Sequence, residues 1–308
     1  MKLSGSDLTL IRVFDAVVRH GGFAAAQSEL NVTQSTISNH ITALEQRLGA
    51  RLCQRGRGGF RLTEKGEVVH RAAKRLFGAL DEFSSETATL KGRLMGELRV
   101  GLVDAIATDP NCQLDRAIAS FKQRPNEVSV TLLQEAPQTL QQKLLSGDLQ
   151  IGIGSFPNRV SGLTYERLYE EQHGLYCGLG HEFFDLPEWE LTRGVLQQAE
   201  FVNRGYWRED FQNELGFRNV TATVFQIEPQ LMLIRSGKMI GFLPDHYAAP
   251  WVEKGVLRRI TQDSMSYKCA FDLVLKKGSR PTQVTEIFLQ DLRKSHQTHE
   301  LTLTMLKA

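Results

Sequence analysis

Residues 22–49 read Gly22-Phe23-Ala24-Ala25-Ala26-Gln27-Ser28-Glu29-Leu30-Asn31-Val32-Thr33-Gln34-Ser35-Thr36-Ile37-Ser38-Asn39-His40-Ile41-Thr42-Ala43-Leu44-Glu45-Gln46-Arg47-Leu48-Gly49. The second half of this stretch is delimited at both ends. The Thr33 hydroxyl suits an N-cap, where it accepts from a free backbone N–H of the first turn. Gly49 stands where a left-handed C-cap residue belongs. Between them Ile37, Ile41, Leu44 and Leu48 recur at intervals of four, three and four, which places one apolar stripe along one side of a helix. At about 100° per residue, Ser35, Asn39, Thr42 and Gln46 fall on the opposite side, flanked by Ser38. The upstream segment is small and apolar: Ala24, Ala25 and Ala26 let another backbone approach, and Leu30 closes its end. Asn31-Val32 is short enough to hold the two helices at a fixed angle. That spacing alone fits an ordinary helical hairpin in a core as well as a helix-turn-helix.

The following residues separate the two readings. Arg51, Arg55, Arg57 and Arg61 are interleaved with Gly56, Gly58, Gly59 and Phe60. Glycine permits a tight hairpin and close backbone approach, while arginine reaches phosphate. Nine Lys/Arg and two Asp/Glu lie between Arg47 and Arg75. A charge run is usually a solvated face, but this one adjoins a polar, uncharged helix face of donors and acceptors. A helix that reads base edges in a major groove needs such a face. Ser35, Ser38, Asn39 and Thr42 are therefore candidate base contacts, and Arg55 and Arg57 candidate phosphate contacts.

With Gly22-Phe23, Ala25-Ala26, Leu30, Gln34-Ser35, Ile37-Ser38, Ile41, Leu44-Glu45, Leu48-Gly49, Leu52, Arg55 and Leu62-Thr63-Glu64-Lys65-Gly66-Glu67 in one register, the stretch resembles the LysR-type transcriptional regulators. The resemblance implies that Gln34, Ser35 and Ser38 contact DNA from the helix and Arg55 from the wing. Three positions depart from the family pattern. Cys53 stands where Phe is usual, Asn39 where Arg is frequent, and His40 where Gln is frequent.

Composition fits a modular chain. At 308 residues two or three domains are expected, and an apolar fraction of 41% supplies several cores. The net charge of +2 is uneven. Residues 1–95 hold fourteen Lys/Arg against nine Asp/Glu, and the remainder 23 against 26. A basic head on a slightly acidic body suits a nucleic-acid module joined to something else. Cys53, Cys112, Cys177 and Cys269 lie far apart without a Cys-x-x-Cys pair, so reduced thiols are expected, with no metal signature. No secretory leader and no run of about 20 apolar residues is present, which leads to the expectation of a soluble cytoplasmic protein without membrane contact.

Asp7 to Arg19 reads as the first helix, capped by Asp7. Thr63 opens a long helix with early acids at its positive end. Along it Val69, Ala72, Leu76, Ala79 and Phe83 form a short heptad seam that Glu86 ends. The seam suits pairing with a second copy, which would present two recognition helices to the half-sites of a pseudo-palindromic operator; packing on its own domain is the other reading. The resemblance implies a dimerising linker helix, a homodimer within a homotetramer, and RNA polymerase as a further candidate partner.

From Gly96 onward strands and helices alternate, following a hinge expected at Gly92 to Gly96. Strands are expected at Leu98–Val103, Val128–Leu133 and Leu149–Gly154, with helices at Asn111–Gln123 and Pro137–Ser146. After a crossover at Phe156–Gly162, strands are expected at Leu163–Leu168, Gly174–Gly178, Phe201–Asn203, Thr221–Phe225 and Ile240–Leu243. Helices are expected at Arg208–Leu215 and Pro229–Ser236, a return crossing near Tyr267–Leu275, and a closing helix at Thr282–Lys294. This order implies a mainly parallel, doubly wound sheet.

The fold class is α/β with an N-terminal α winged helix-turn-helix domain. The domains are 1–62, a linker helix 63–91 and an effector-binding domain 96–295, with lobe I at 96–160 and 268–295 and lobe II at 161–267. Gly96-Glu97-Leu98-Arg99-Val100-Gly101, Gly147-Asp148-Leu149, Gly237, Ile240, Pro244 and Gly255-Val256-Leu257 resemble the effector domain of the same family, which is built like the periplasmic binding proteins.

Ligands of such sheets sit beyond the carboxyl ends of the strands. Asp104, Ala105, Asn203, Arg204, Phe225 and Gln226 occupy such loops and are the candidate effector contacts. Arg204 suits a carboxylate, Asp104 an amine or hydroxyl. The bland roles are a helix cap for Asp104 and a surface ion pair for Arg204. Ala105 replaces the Ser or Thr frequent in the family and has the acid Asp104 beside it, so a small-acid effector is not simply implied; Met239 also replaces a glycine usual in the family. No Gly-x-Ser-x-Gly, His-Glu-x-x-His or phosphate-binding loop is present, so no enzyme, cofactor or metal is expected. His296 and His299 sit on a polar tail. The reading that competes with the regulator is a small-molecule sensor that scarcely uses its head.

Overall fold

The computed structural model describes residues 4–56, 59–89, 94–207, 213–261 and 265–307. The chain divides into two compact units, Met1–Glu86 and Thr87–Ala308. The helix expected over Arg208–Leu215 and the hinge at Gly92 fall wholly or largely outside the described residues.

The first unit holds α1 (Gly5–Arg19), α2 (Gln27–Leu30), α3 (Gln34–Leu48), the hairpin β1 (Cys53–Gly56) and β2 (Gly59–Leu62), and α4 (Glu64–Thr89). Phe14, Val17, Phe23, Ile37, Ile41, Leu44 and Leu52 form its core. The α4 seam is divided. Val69 and Leu76 pack on this core together with Ala73 and Phe77. Ala72 and Ala79 remain exposed, as does Phe83, at 66%. Ser4 rather than Asp7 caps α1, with the Asp7 carboxylate accepting from the Ser4 backbone N–H in return.

The second unit is built on one mixed sheet. Its strands are β3 (Leu94–Leu102), β4 (Asn126–Gln134), β5 (Ile151–Gly154), β6 (Leu163–Gly178), β7 (Glu200–Arg204), β8 (Asn219–Val224), β9 (Ile240–Pro244), β10 (Leu257–Ile260) and β11 (Ser266–Lys276). The order is β4-β3-β5-β11-β6-β9-β7-β8, with β10 also paired to β6. The two ends are parallel as expected, through β3 with β4 and β5, and β7 with β8 and β9. The middle is antiparallel. Strand β11 pairs with β5 and, over its whole length, with β6.

The segments 163–168 and 174–178, expected as separate strands, are therefore one strand. The return crossing at Tyr267–Leu275 is its partner, with a bulge where Phe271 and Asp272 face Tyr169 and Arg167. Leu163, Leu168 and Tyr169 accordingly pack with Leu98, Ile151 and Phe288 rather than in the second lobe expected for residues 161–267. Leu175 and Cys177, further along β6, pack with Phe201, Ile240 and Phe242.

Helices α5 (Leu114–Lys122), α6 (Pro137–Ser146), α7 (Arg193–Leu196), α8 (Ile227–Arg235), α9 (Asp245–Glu253) and α10 (Gln283–Lys307) cover the sheet. Helix α10 continues well beyond Lys294 and is held by several side-chain contacts. Phe288 meets Phe121 edge to face at 5.6 Å. Arg124 clamps the buried Asp291 through two hydrogen bonds of 2.5 and 2.7 Å. His296, expected on a polar tail, is buried and stacks on Tyr169.

Candidate nucleic-acid interface and ligand crevice

Thr33 caps α3 by accepting from the Thr36 N–H at 3.3 Å, and Gly49 ends it at φ +64°. Ile37, Ile41 and Leu44 are buried, so Gln34, Ser35, Asn39, Thr42 and Gln46 are turned outward and Ser38 is half-buried. The Thr42 hydroxyl donates to the Ser38 carbonyl at 2.9 Å, which leaves its oxygen able to accept.

Two polar contacts that periodicity does not disclose hold this helix in place. Glu45 accepts from the backbone N–H of Leu52 at 2.7 Å and Cys53 at 3.2 Å, tying α3 to the first strand of the hairpin. Arg47 pairs with Asp7 at the start of α1, one contact being 2.8 Å. Thr63 then fastens the end of the hairpin to α4. Its hydroxyl donates to the Arg51 carbonyl at 2.7 Å and accepts from Gly66 N–H at 2.9 Å. Gly66 has to be glycine, because a Cβ there would lie 2.1 Å from the Leu52 carbonyl oxygen. Arg55 lies on β1 beside the turn; Arg57 is outside the described residues.

The second unit has a crevice of about 240 Å³, walled by Asp104, Arg159, Glu171, His173, Arg204, Lys268 and Asp272 with the apolar surfaces of Phe156, Pro157, Trp207 and Phe271. Of the six candidate effector contacts, Asp104 and Arg204 line it and the other four do not. Neighbours on a strand point to opposite faces, so with Arg204 turned inward Asn203 is turned away. The Phe225 ring lies against Gly205 and is 56% exposed. Gln226 is exposed at the start of α8. Ala105 has φ +59° and packs against a cluster that includes Ile227, Leu231 and Leu243.

Asp104 and Arg204 do not await opposite ends of a ligand; they meet each other. The Arg204 Nη2 lies 3.6 Å from Asp104 Oδ1. The other Asp104 oxygen accepts from the Ile227 N–H, capping α8 from the far side of the sheet. Arg204 is buried rather than a surface cation, and it donates to Tyr206 at 2.9 Å and to Gln230 at 3.1 Å. Burial holds the Tyr206 phenol above its ordinary pKa despite the guanidinium beside it, so the phenol stays a neutral acceptor.

A second polar cluster was missed because it is spread over three elements and the loop after β3. Glu171 and His173 share a face of β6, and Cys269 is the cross-strand partner of Glu171. The two carboxylate oxygens of Glu171 meet His173 Nε2 at 2.5 Å and His246 Nε2 at 2.9 Å. Tyr267 bonds His173 Nδ1 at 3.1 Å, and Thr108 bonds His246 Nδ1 at 2.9 Å. Burial disfavours an imidazolium at His173, yet Cys269 and Glu171 favour one more strongly, so its pKa is raised to about 10. Burial also lifts the Asp109 carboxyl, with Glu171 adding to it. The i, i+2 pair Glu171/His173 was the available signal. None of the four cysteines is in a disulfide.

A capped, outward-facing polar helix with a basic hairpin, in one chain with an α/β unit bearing a charged crevice, defines a class: DNA-reading proteins that carry a ligand-sensing unit. Residues 8–67 match the family model of the bacterial regulatory helix-turn-helix protein, lysR family, and residues 91–297 that of the LysR substrate binding domain. The chain belongs to the LysR family of transcriptional regulators.

It is 36% identical over 290 residues to the HTH-type transcriptional activator BauR of Pseudomonas aeruginosa, covering 94% of this chain and 95% of that one. Full-length CbnR in complex with its target DNA has the same fold at a TM-score of 0.63 and 21% identity, covering 94% of this chain and 99% of that chain. ArgP from Mycobacterium tuberculosis does so at 0.61 and 20%, covering 96% and 98%. BauR is a transcriptional activator and CbnR a LysR family transcriptional regulator. No helix among the described residues is long and apolar enough to cross a membrane.

Proposed function

We propose that this regulator reads a pseudo-palindromic operator through Gln34, Ser35, Ser38, Asn39 and Thr42, with Arg55 and Arg57 neutralising phosphates. The observation that carries the reading is the exposed, uncharged face of α3 beside a hairpin to which Glu45 fastens it. Base edges demand donors and acceptors in a fixed frame, and phosphates demand only charge. Val68, Ala72 and Ala79 leave an exposed apolar face on α4, which supports pairing of two copies. The functional parts are residues 1–62, 63–91 and 96–295, and the assembly is a homodimer that pairs further into a homotetramer. RNA polymerase is the partner through which promoter contact acts, in the cytoplasm, without catalysis by this chain.

The crevice takes a small polar metabolite. Its volume suits a molecule below drug size, and acids and bases alternate on its wall. Binding changes DNA contact only to the extent that the metabolite prefers one assembly over another. The test is capture and sequencing of genomic fragments by the purified protein at near-physiological salt. Recovery of a few dyad-symmetric sites supports the proposal. Recovery of no preferred fragment, with and without cell metabolites, would overturn it in favour of a sensor that does not use its head.

A further inference from the structure

The Glu171 cluster contains a site that crevice chemistry does not explain. The Thr108 hydroxyl donates to the Ala105 carbonyl at 3.2 Å. Its oxygen is thereby the acceptor in the 2.9 Å bond to His246, so His246 Nδ1 holds the ring proton. The opposite nitrogen, Nε2, faces two carboxylates, Glu171 Oε1 at 2.9 Å and Asp109 Oδ2 at 3.7 Å. A lone pair aimed at two carboxyl groups calls for a positive centre between them, a proton or a metal ion.

Asp109 is 5% exposed. Its Oδ1 accepts from the Asn111 N–H at 2.8 Å, whereas its Oδ2 is buried with no hydrogen-bond partner. One donor atom from each of Asp109, Glu171 and His246 lies within 4.8 Å of the others. A tetrahedral zinc site with bonds of about 2.0–2.1 Å has donor–donor edges of roughly 3.3 Å, between the two separations measured here. An imidazole that ligates through one nitrogen while its other N–H is fixed by a hydrogen bond is the usual support of a protein-bound metal. Glu171 already has His173 at 2.5 Å, but Asp109 Oδ2 has no hydrogen-bond partner, and a buried carboxylate without a cation is costly.

We propose that Asp109, Glu171 and His246 bind one divalent transition-metal ion such as zinc, which takes both imidazole nitrogen and carboxylate oxygen. The three come from the loop after β3, from β6 and from α9, so the ion ties that loop to α9 behind the crevice, while Glu171 also forms part of the crevice wall. The inference concerns this unit alone and does not depend on the operator reading.

The experiment uses the full chain, stripped with a chelator and titrated with Zn²⁺ alone by calorimetry and thermal shift. One ion per chain and a raised melting temperature are expected. Asp109→Asn keeps the shape and the Asn111 contact, and should weaken binding at least tenfold. His246→Ala should abolish it. Absorption of the Co²⁺-loaded protein, free of a thiolate charge-transfer band, would support this donor set. Three outcomes overturn the proposal: no stoichiometric Zn²⁺ binding, in which case a proton is the positive centre; binding that Asp109→Asn leaves unchanged; or binding abolished by Cys269→Ser, which would move the ion to the neighbouring Glu171/His173/Cys269 group.

Discussion

Asp104 performs two jobs that substitution can separate. Its Oδ2 caps α8 at Ile227, and its charge stands beside the buried Arg204. Asp104→Asn keeps a side-chain acceptor for the Ile227 N–H but removes the charge. Asp104→Ala removes both. Breaking a buried ion pair costs about 3–5 kcal/mol. Here the pair is a single 3.6 Å contact, and Arg204 retains Tyr206 and Gln230. The expected loss for Asn is therefore near the bottom of that range or below it, about 2 kcal/mol. The missing helix-end acceptor adds about 1 kcal/mol for Ala, giving about 3 kcal/mol. Urea unfolding followed by tryptophan fluorescence reads this directly, because Trp189, Trp207 and Trp251 all lie in the second unit. If Asp104→Asn unfolds within about 0.5 kcal/mol of wild type, the assignment of Asp104 as a buried counter-charge is refuted.

Ala105→Gly should stabilise the same transition by about 0.5–1 kcal/mol, since Ala105 holds a left-handed φ that costs a side chain more than glycine loses in entropy. In fluorescence anisotropy, Arg55→Ala should weaken binding to all DNA sequences alike and lower the salt slope by about one, whereas Ser38→Ala should change which sequences are preferred. Arg19, and after it His20, hold the Glu29 carboxyl down to about 2 against an ordinary 4.5. A depressed carboxylate contributes stability above pH 4.5 that is lost as the pH falls towards 2. The group is part-exposed, so the contribution is screened to about 0.5–1 kcal/mol. Glu29→Gln should flatten the acid side of the head's pH–stability profile, measured by circular dichroism.

The head was legible because its information is local. Thr33, Gly49 and the Ile37–Leu48 stripe each act within one helix, and α3 begins and ends where they place it. What escaped was the fastening of that helix, since Glu45 and Arg47 find partners in other elements. In the second unit Pro137–Ser146 is a helix with the expected limits, again with its proline and glycine at the ends. Strand β6 was broken in two because Glu170-Glu171-Gln172-His173 interrupts the apolar pattern. That interruption is the buried polar cluster itself. Periodicity reads burial from apolarity, and it fails where a buried face is polar and paired. Asp104 and Arg204 were recognisable as strand-end residues, but their mutual pairing depends on a β3-to-β7 juxtaposition that no local pattern encodes.

Strands β6 and β11 run side by side through the whole middle of the second unit. The two ends of the sheet therefore cannot swing as on a pair of slack strings, because each crossing segment is laddered to the other. Any opening of the crevice has to be taken up as torsion of a two-stranded ribbon, whose twist is its soft coordinate. The bulge at Phe271/Asp272 lies on this ribbon beside the crevice wall and is its compliant point. A small change of angle in this ribbon becomes, with distance from it, a larger displacement at the far edges of the sheet.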